Sequence, residues 1–79
     1  MDFKGFKKFT AAEFKVEDES LTSETKIHDL PQWSSLNALL YISSIKESFG
    51  VAIKSADLAS KRTLGELFEL IEDRKSNGA

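Results

Sequence analysis

The chain contains no cysteine. Disulfide staples and thiolate metal sites are therefore excluded, and the absence fits a reducing compartment. Proline occurs once, as Pro31, and glycine four times, so turn signals are sparse and their positions informative. There is one histidine, His28. A serine–histidine–aspartate arrangement would need His28, Asp29 and a serine to converge, and neighbours in sequence are a poor start for one orienting the other. A metal site would rest on that one imidazole plus carboxylates, and neither EF-hand spacing nor a glycine-rich phosphate loop is present. Neither an enzyme nor a metal centre is expected. No apolar run approaches the ~20 residues of a membrane span. "MDFKGFKKF" has no apolar core or small-residue cleavage site of the kind a secretory signal carries. Charge is nearly balanced, 11 basic against 13 acidic residues for a net of −2, which gives no overall pull toward nucleic acid or anionic lipid. The expectation is a cytoplasmic, monomeric protein that binds no nucleic acid and spans no membrane.

What the sequence does contain is apolar periodicity. Its 79 residues suit one small domain over 1–79, with a thin core in which each large side chain counts. Phe3, Phe6, Phe9, Ala12 and Phe14 recur at helical spacing, with lysines between them on what reads as a solvated face. "VEDESLTSETK" is polar and acidic, a long loop with Val16 and Leu21 as its apolar anchors. Pro31 makes Leu30 extended, and a second helix starts at Ser34 or Ser35 and runs to about Ser48. Gly50 is placed to cap its end. Val51 to Ile53 read as a short extended piece, followed by one helical turn from Ser55, a candidate N-cap, with Asp57 in the first turn. Thr63 caps a last helix, with Glu66 completing a capping box and Leu64, Leu67, Phe68 and Ile71 as the buried stripe. Residues 74–79 read as a frayed tail. The fold class is all-α, a four-helix bundle with a long first loop and a short third helix.

A helical wheel of the second helix puts Ala38, Ile42, Ile45 and Phe49 on the core face, with Leu39 and Tyr41 flanking. Leu36, Leu40, Ser43 and Glu47 form a second stripe at i, i+4, i+7 and i+11. Two leucines outside the core beside a pair of serines suggest a docking surface; scattered exposed leucines on a surface are equally ordinary.

At "WSSLNALLYISSIKESFGVAI" the chain resembles the acyl carrier proteins. In that family a serine in an Asp-Ser-Leu motif opens the second helix and bears a 4′-phosphopantetheine arm. Here Ser34-Ser35-Leu36 stands at that place, so the resemblance puts the arm on Ser35. "FKKFTAAEFKVEDESLT" is similar to the family's first helix and loop, and "RTLGELFELIE" to its last helix. Ile27 stands where a loop residue plugs the bundle. The likeness runs from about Phe3 to Glu72. It implies an acyl carrier holding intermediates as thioesters, with a phosphopantetheinyl transferase and acyl-transferring or condensing enzymes as partners. Ser34, Leu36, Leu40, Ser43 and Glu47 would form the partner surface, with Asp29 as a loop acid near the serine. Two departures stand out. The family's acid before the serine is Ser34 here. The second helix, usually acidic, has only Lys46 and Glu47 as charged residues. A neutral helix favours a dedicated lipid or natural-product pathway, polyketide assembly included, over general fatty acid biosynthesis. The alternative is a degenerate carrier-fold module that is never modified and acts through protein–protein contact. The initiating methionine and polar tail suggest a free-standing protein.

Overall fold

The computed structural model describes residues 2–76. Four helices account for most of it: α1 (Phe3–Phe14), α2 (Ser35–Phe49), α3 (Ser55–Ser60) and α4 (Leu64–Ser76). A long first loop between α1 and α2 carries two 3₁₀ turns, Asp18–Ser20 and Ile27–Asp29. The expected all-α class, the long loop and the short third helix are all present.

Each helix begins and ends for a local reason. In α1 the Asp2 carboxylate accepts the Gly5 amide at 2.9 Å, and Lys15 closes the helix in the left-handed region at φ 57°. α2 is capped by Ser34, whose hydroxyl accepts the Asn37 amide at 3.1 Å. It ends one residue later than expected, at Phe49, with Gly50 left-handed at φ 71°. Ser55 is not the cap of α3. Lys54 holds that position, and Asp57 fixes the turn by accepting the Lys54 amide at 2.8 Å. The α4 box forms as expected: Thr63 accepts the Glu66 amide at 3.2 Å, and Glu66 accepts the amides of Thr63 and Arg62 at 3.2 and 2.7 Å. These two donors hold the Glu66 carboxyl below its ordinary range.

The core is mainly aliphatic, with an aromatic cluster where α1 meets α2 and α4. Phe6, Phe14, Tyr41, Ile45, Leu64, Leu67, Ile71 and the loop residue Ile27 are fully buried. Phe9 stacks on Tyr41 at 5.9 Å and meets Phe49 edge-on at 4.8 Å, while Phe14 meets Tyr41 edge-on at 4.9 Å. Phe3 and Phe6 join α1 to α4 through Phe68, at 5.5 and 5.6 Å. The four phenylalanines of α1 face the core as expected, and the stripe differs from the reading above only in that Ala11 is buried and Ala12 exposed.

Tyr41 is the main correction in α2. It is not a flank residue but sits at the centre of the core with Ile45, while Ala38, Ile42 and Phe49 are half-buried. The reason is a partner on α1. Thr10 is fully buried, and its hydroxyl shares a 2.7 Å hydrogen bond with the Tyr41 phenol. A phenol tolerates the interior when its oxygen is paired. Burial pushes its ionisation well above the usual tyrosine range, with the Thr10 hydrogen bond acting weakly the other way.

The first loop is tied down. Leu21 and Ile27 are its buried anchors. The Ile27 amide donates to the Arg62 carbonyl at 3.0 Å, Leu64 to Thr25 at 2.9 Å and Gly65 to Ser23 at 2.9 Å. Gly65 suits this approach, since a Cβ there would lie a tight 3.0 Å from the Ser23 carbonyl oxygen. Val51 and Ile53 are buried in the connection after α2, which forms no strand.

The expected frayed tail is only partly so placed. Residues 74–76 continue α4, and 77–79 lie outside the described residues. The Arg74 guanidinium grips Asp57 with two hydrogen bonds, at 2.8 and 3.0 Å, and reaches the Ala52 carbonyl at 3.2 Å. Such a bidentate pair is directional as well as charged. With the buried Leu58, it anchors six-residue α3, too short to be stable alone.

Candidate functional site

The N-terminus of α2 separates the two serines. Ser34 is the N-cap, with φ −159° and its hydroxyl engaged by Asn37. Ser35 is the first helical residue and is exposed. The capping function is therefore met by Ser34, and the Ser35 hydroxyl is left for other use. The entry is stiffened from behind: the Asn37 side-chain amide donates to the Gln32 carbonyl at 2.6 Å, and the Trp33 amide to the Leu30 carbonyl at 3.0 Å.

The amides of Ser35 and Leu36 take part in none of the described hydrogen bonds, as expected for a helix start. The first turn of α2 holds no acidic residue. A phosphodiester on Ser35 would thus meet free N–H donors and the positive end of the helix dipole, without a like charge in that turn. The residues present fit such a group.

Beside Ser35 lies a cleft of about 330 Å³ between α2 and α3. Trp33, Ala38, Leu39, Leu58 and Ala59 give it apolar walls, and His28, Ser35 and Ser55 a polar edge. Trp33 is fixed from two sides, stacked on Phe14 at 5.7 Å and met edge-on by His28 at 5.0 Å. Leu39, expected on the flank of the core, is 56% exposed and lines this cleft instead. A six-residue α3 is too short to cover it.

The remaining candidate residues fall in two groups. Leu36 and Leu40 are 65% and 49% exposed, and Ser43 and Glu47 are exposed along the same stripe, so that face of α2 lies outside the core as expected. Leu39 adds a third exposed leucine to it. Asp29 is exposed in the second 3₁₀ turn and lines a separate depression with Lys26, His28, Arg62, Thr63 and Glu66. His28 borders both hollows and links Asp29 to the Ser35 cleft.

Sequence reasoning missed the cleft. The sequence offers His28 as a candidate catalytic or metal-ligating residue, not as a wall of a cleft, and does not single out Leu58 or Ala59. The signal that could have found it is the i, i+3, i+4 set Ser35, Ala38 and Leu39, a face of small and apolar residues beginning at the serine. Among the described residues no helix is long and apolar enough to cross a membrane, and no group of histidine, aspartate and glutamate is gathered as a metal site would require. No protein-family model matches the chain, and comparison with curated proteins finds no significant match.

Proposed function

We propose that the chain is an acyl carrier in which Ser35 bears a 4′-phosphopantetheine arm. The observation that carries this reading is the division of labour at the α2 start: Ser34 caps, and Ser35 stands exposed beside an apolar-walled cleft. In the attachment step the Ser35 hydroxyl oxygen forms a bond to the phosphorus of coenzyme A nearest the pantetheine, adenosine bisphosphate leaves, and the serine proton is released. The arm, when bound, supplies the thiol on which an acyl group is carried as a thioester. The chain has no thiol of its own.

The remaining roles belong to the protein. The N-terminal amides of α2 hold the phosphodiester. Trp33, Ala38 and Leu58 offer the arm an apolar wall. The face bearing Leu36 and Leu40, with Ser43 and Glu47 further along, meets partner enzymes, with Ser34 and Asp29 at its margin. Because α2 carries only Lys46 and Glu47 as charges, its docking is apolar in character, which suits dedicated enzymes of a lipid or natural-product pathway. The exposed leucines and the missing acid at Ser34 favour a second reading, a carrier-like module that is never modified and acts by contact alone.

Intact mass after incubation with coenzyme A and a promiscuous phosphopantetheinyl transferase decides between the two. Wild type and Ser34→Ala should gain one phosphopantetheine and Ser35→Ala none. Labelling that persists in Ser35→Ala refutes the assignment. No labelling of wild type by any transferase, one from the same source included, leaves the contact-only module.

A further inference from the structure

A carrier can keep its cargo inside the bundle or outside it, and the two demand different cores. An interior site needs side chains that part without leaving polar atoms stranded. Between α1 and α2 this core is arranged otherwise. Phe9 and Phe14 both pack on Tyr41, and Phe9 on Phe49, with ring centres 4.8 to 5.9 Å apart. Aromatic rings have only two side-chain torsions, so they make room by moving as whole plates rather than by bending.

The Tyr41 phenol and the Thr10 hydroxyl are bonded to one another at the centre of this stack, both fully buried. A saturated chain entering between α1 and α2 would separate them and offer neither a replacement partner, leaving two buried polar groups unpaired. Trp33 closes the approach from the Ser35 side, clamped between Phe14 and His28. The cleft outside it, at about 330 Å³, lies at the small end of the range of about 300–1,000 Å³ usual for ligand sites. An arm lying in it leaves little room for a long tail, whose methylenes would stay in water.

We propose that the cargo of this carrier is a short acyl group kept at the surface cleft between α2 and α3, and that the bundle does not open to take up a long aliphatic chain. The inference rests on the carrier reading for its arm, and on the packing around Tyr41 for its limit.

Two series of probes test it. In the first, a promiscuous transferase loads acetyl- and decanoyl-phosphopantetheine from the corresponding coenzyme A thioesters. In the second, Ser35→Cys supplies the only thiol in the chain, and propyl and decyl methanethiosulfonates couple to it as mixed disulfides with release of methanesulfinate. Both are read by side-chain NMR and by the melting temperature. The arm should move the signals of Trp33, Ala38 and Ala59. Tyr41, Thr10 and Ile45 should be the same for short and long attachments in both series, with no rise in melting temperature with length. Shifts at Tyr41 and Ile45 that grow with chain length, together with a rising melting temperature, overturn the proposal. Failure of both coenzyme A thioesters to attach overturns the carrier reading, and the cargo assignment with it. The cysteine series still reports, independently, whether the core admits a chain.

Discussion

Replacing Tyr41 with phenylalanine removes one oxygen from the middle of the bundle and leaves the rings in place. What remains is the Thr10 hydroxyl, fully buried and 2.7 Å from where its partner stood. An unpaired buried hydroxyl costs about 1–3 kcal/mol. Thr10 lies in a helix and can turn its hydroxyl to a main-chain carbonyl one turn earlier, so Tyr41→Phe should fall at the lower end, about 1 kcal/mol. The Tyr41 phenol has no such recourse, and Thr10→Val should cost about 1–3 kcal/mol. The double replacement removes both polar groups and keeps the shape, a change that is often nearly neutral, so it should cost less than the sum of the two. At about 0.05–0.15 kcal/mol per residue a chain of this length has a total stability of about 4–12 kcal/mol, and these differences are well within reach of urea unfolding. Additivity within about 0.5 kcal/mol would refute the claim that the two hydroxyls act as a pair. The cargo argument would lose its main support with it.

Three further outcomes follow from the geometry. Ser34→Asp should raise transferase kcat/KM, if the proposed carrier role holds, by supplying the acid that acyl carrier proteins place before their serine, at little cost to the fold because aspartate also caps helices well; an unchanged or lower value counts against the role given to that position. Leu40→Ala should change stability by no more than about 0.5 kcal/mol, whereas Ile45→Ala should cost about 2–5 kcal/mol; equal effects in denaturant would mean that the exposed face of α2 is misassigned. Arg74, chiefly by its hydrogen bonds, holds the Asp57 carboxyl below its ordinary range. The stability this gives is present above about pH 4 and is lost as the pH falls below that value. Arg74→Gln should flatten this acid limb in a pH series of melting temperatures, and an unaltered limb would rule the pair out as its cause.

The ends of the long helices could be read from the sequence because their signals are local. Ser34, Gly50, and Thr63 with Glu66 each act within four residues of the backbone group they satisfy. The stripe of Leu64, Leu67 and Ile71 is likewise a matter of spacing. Tyr41 was misjudged because its wheel position says nothing of Thr10, 31 residues earlier on another helix. The α3 cap was misplaced because a six-residue helix has too little periodicity to show its register, and its anchor, Arg74, lies 17 residues beyond Asp57 in what read as a tail. The serine was legible as a helix start. The cleft beside it was not, since its walls come from two helices, a 3₁₀ turn and the loop residue Trp33, which only the folded chain brings together.

The hydrogen bond from the Ile27 amide to the Arg62 carbonyl fastens the base of a closed loop of chain. Ser35 and every other residue lining its cleft, from His28 to Ala59, belong to that loop. α1 and the whole of α4 lie outside it and touch this part of the chain from behind, Phe14 against Trp33 and Arg74 against Asp57. The site is thus drawn from one continuous stretch of a short sequence, while the scaffold takes Tyr41 and Ile45 from within that stretch and Phe6, Thr10, Phe14, Leu64, Leu67 and Ile71 from outside it. Substitutions at Ala38, Leu39 or Ala59 can reshape what the cleft accepts while Phe6, Phe9 and Phe14 stay the same, and substitutions at those α1 residues can change stability without altering a residue that lines the cleft.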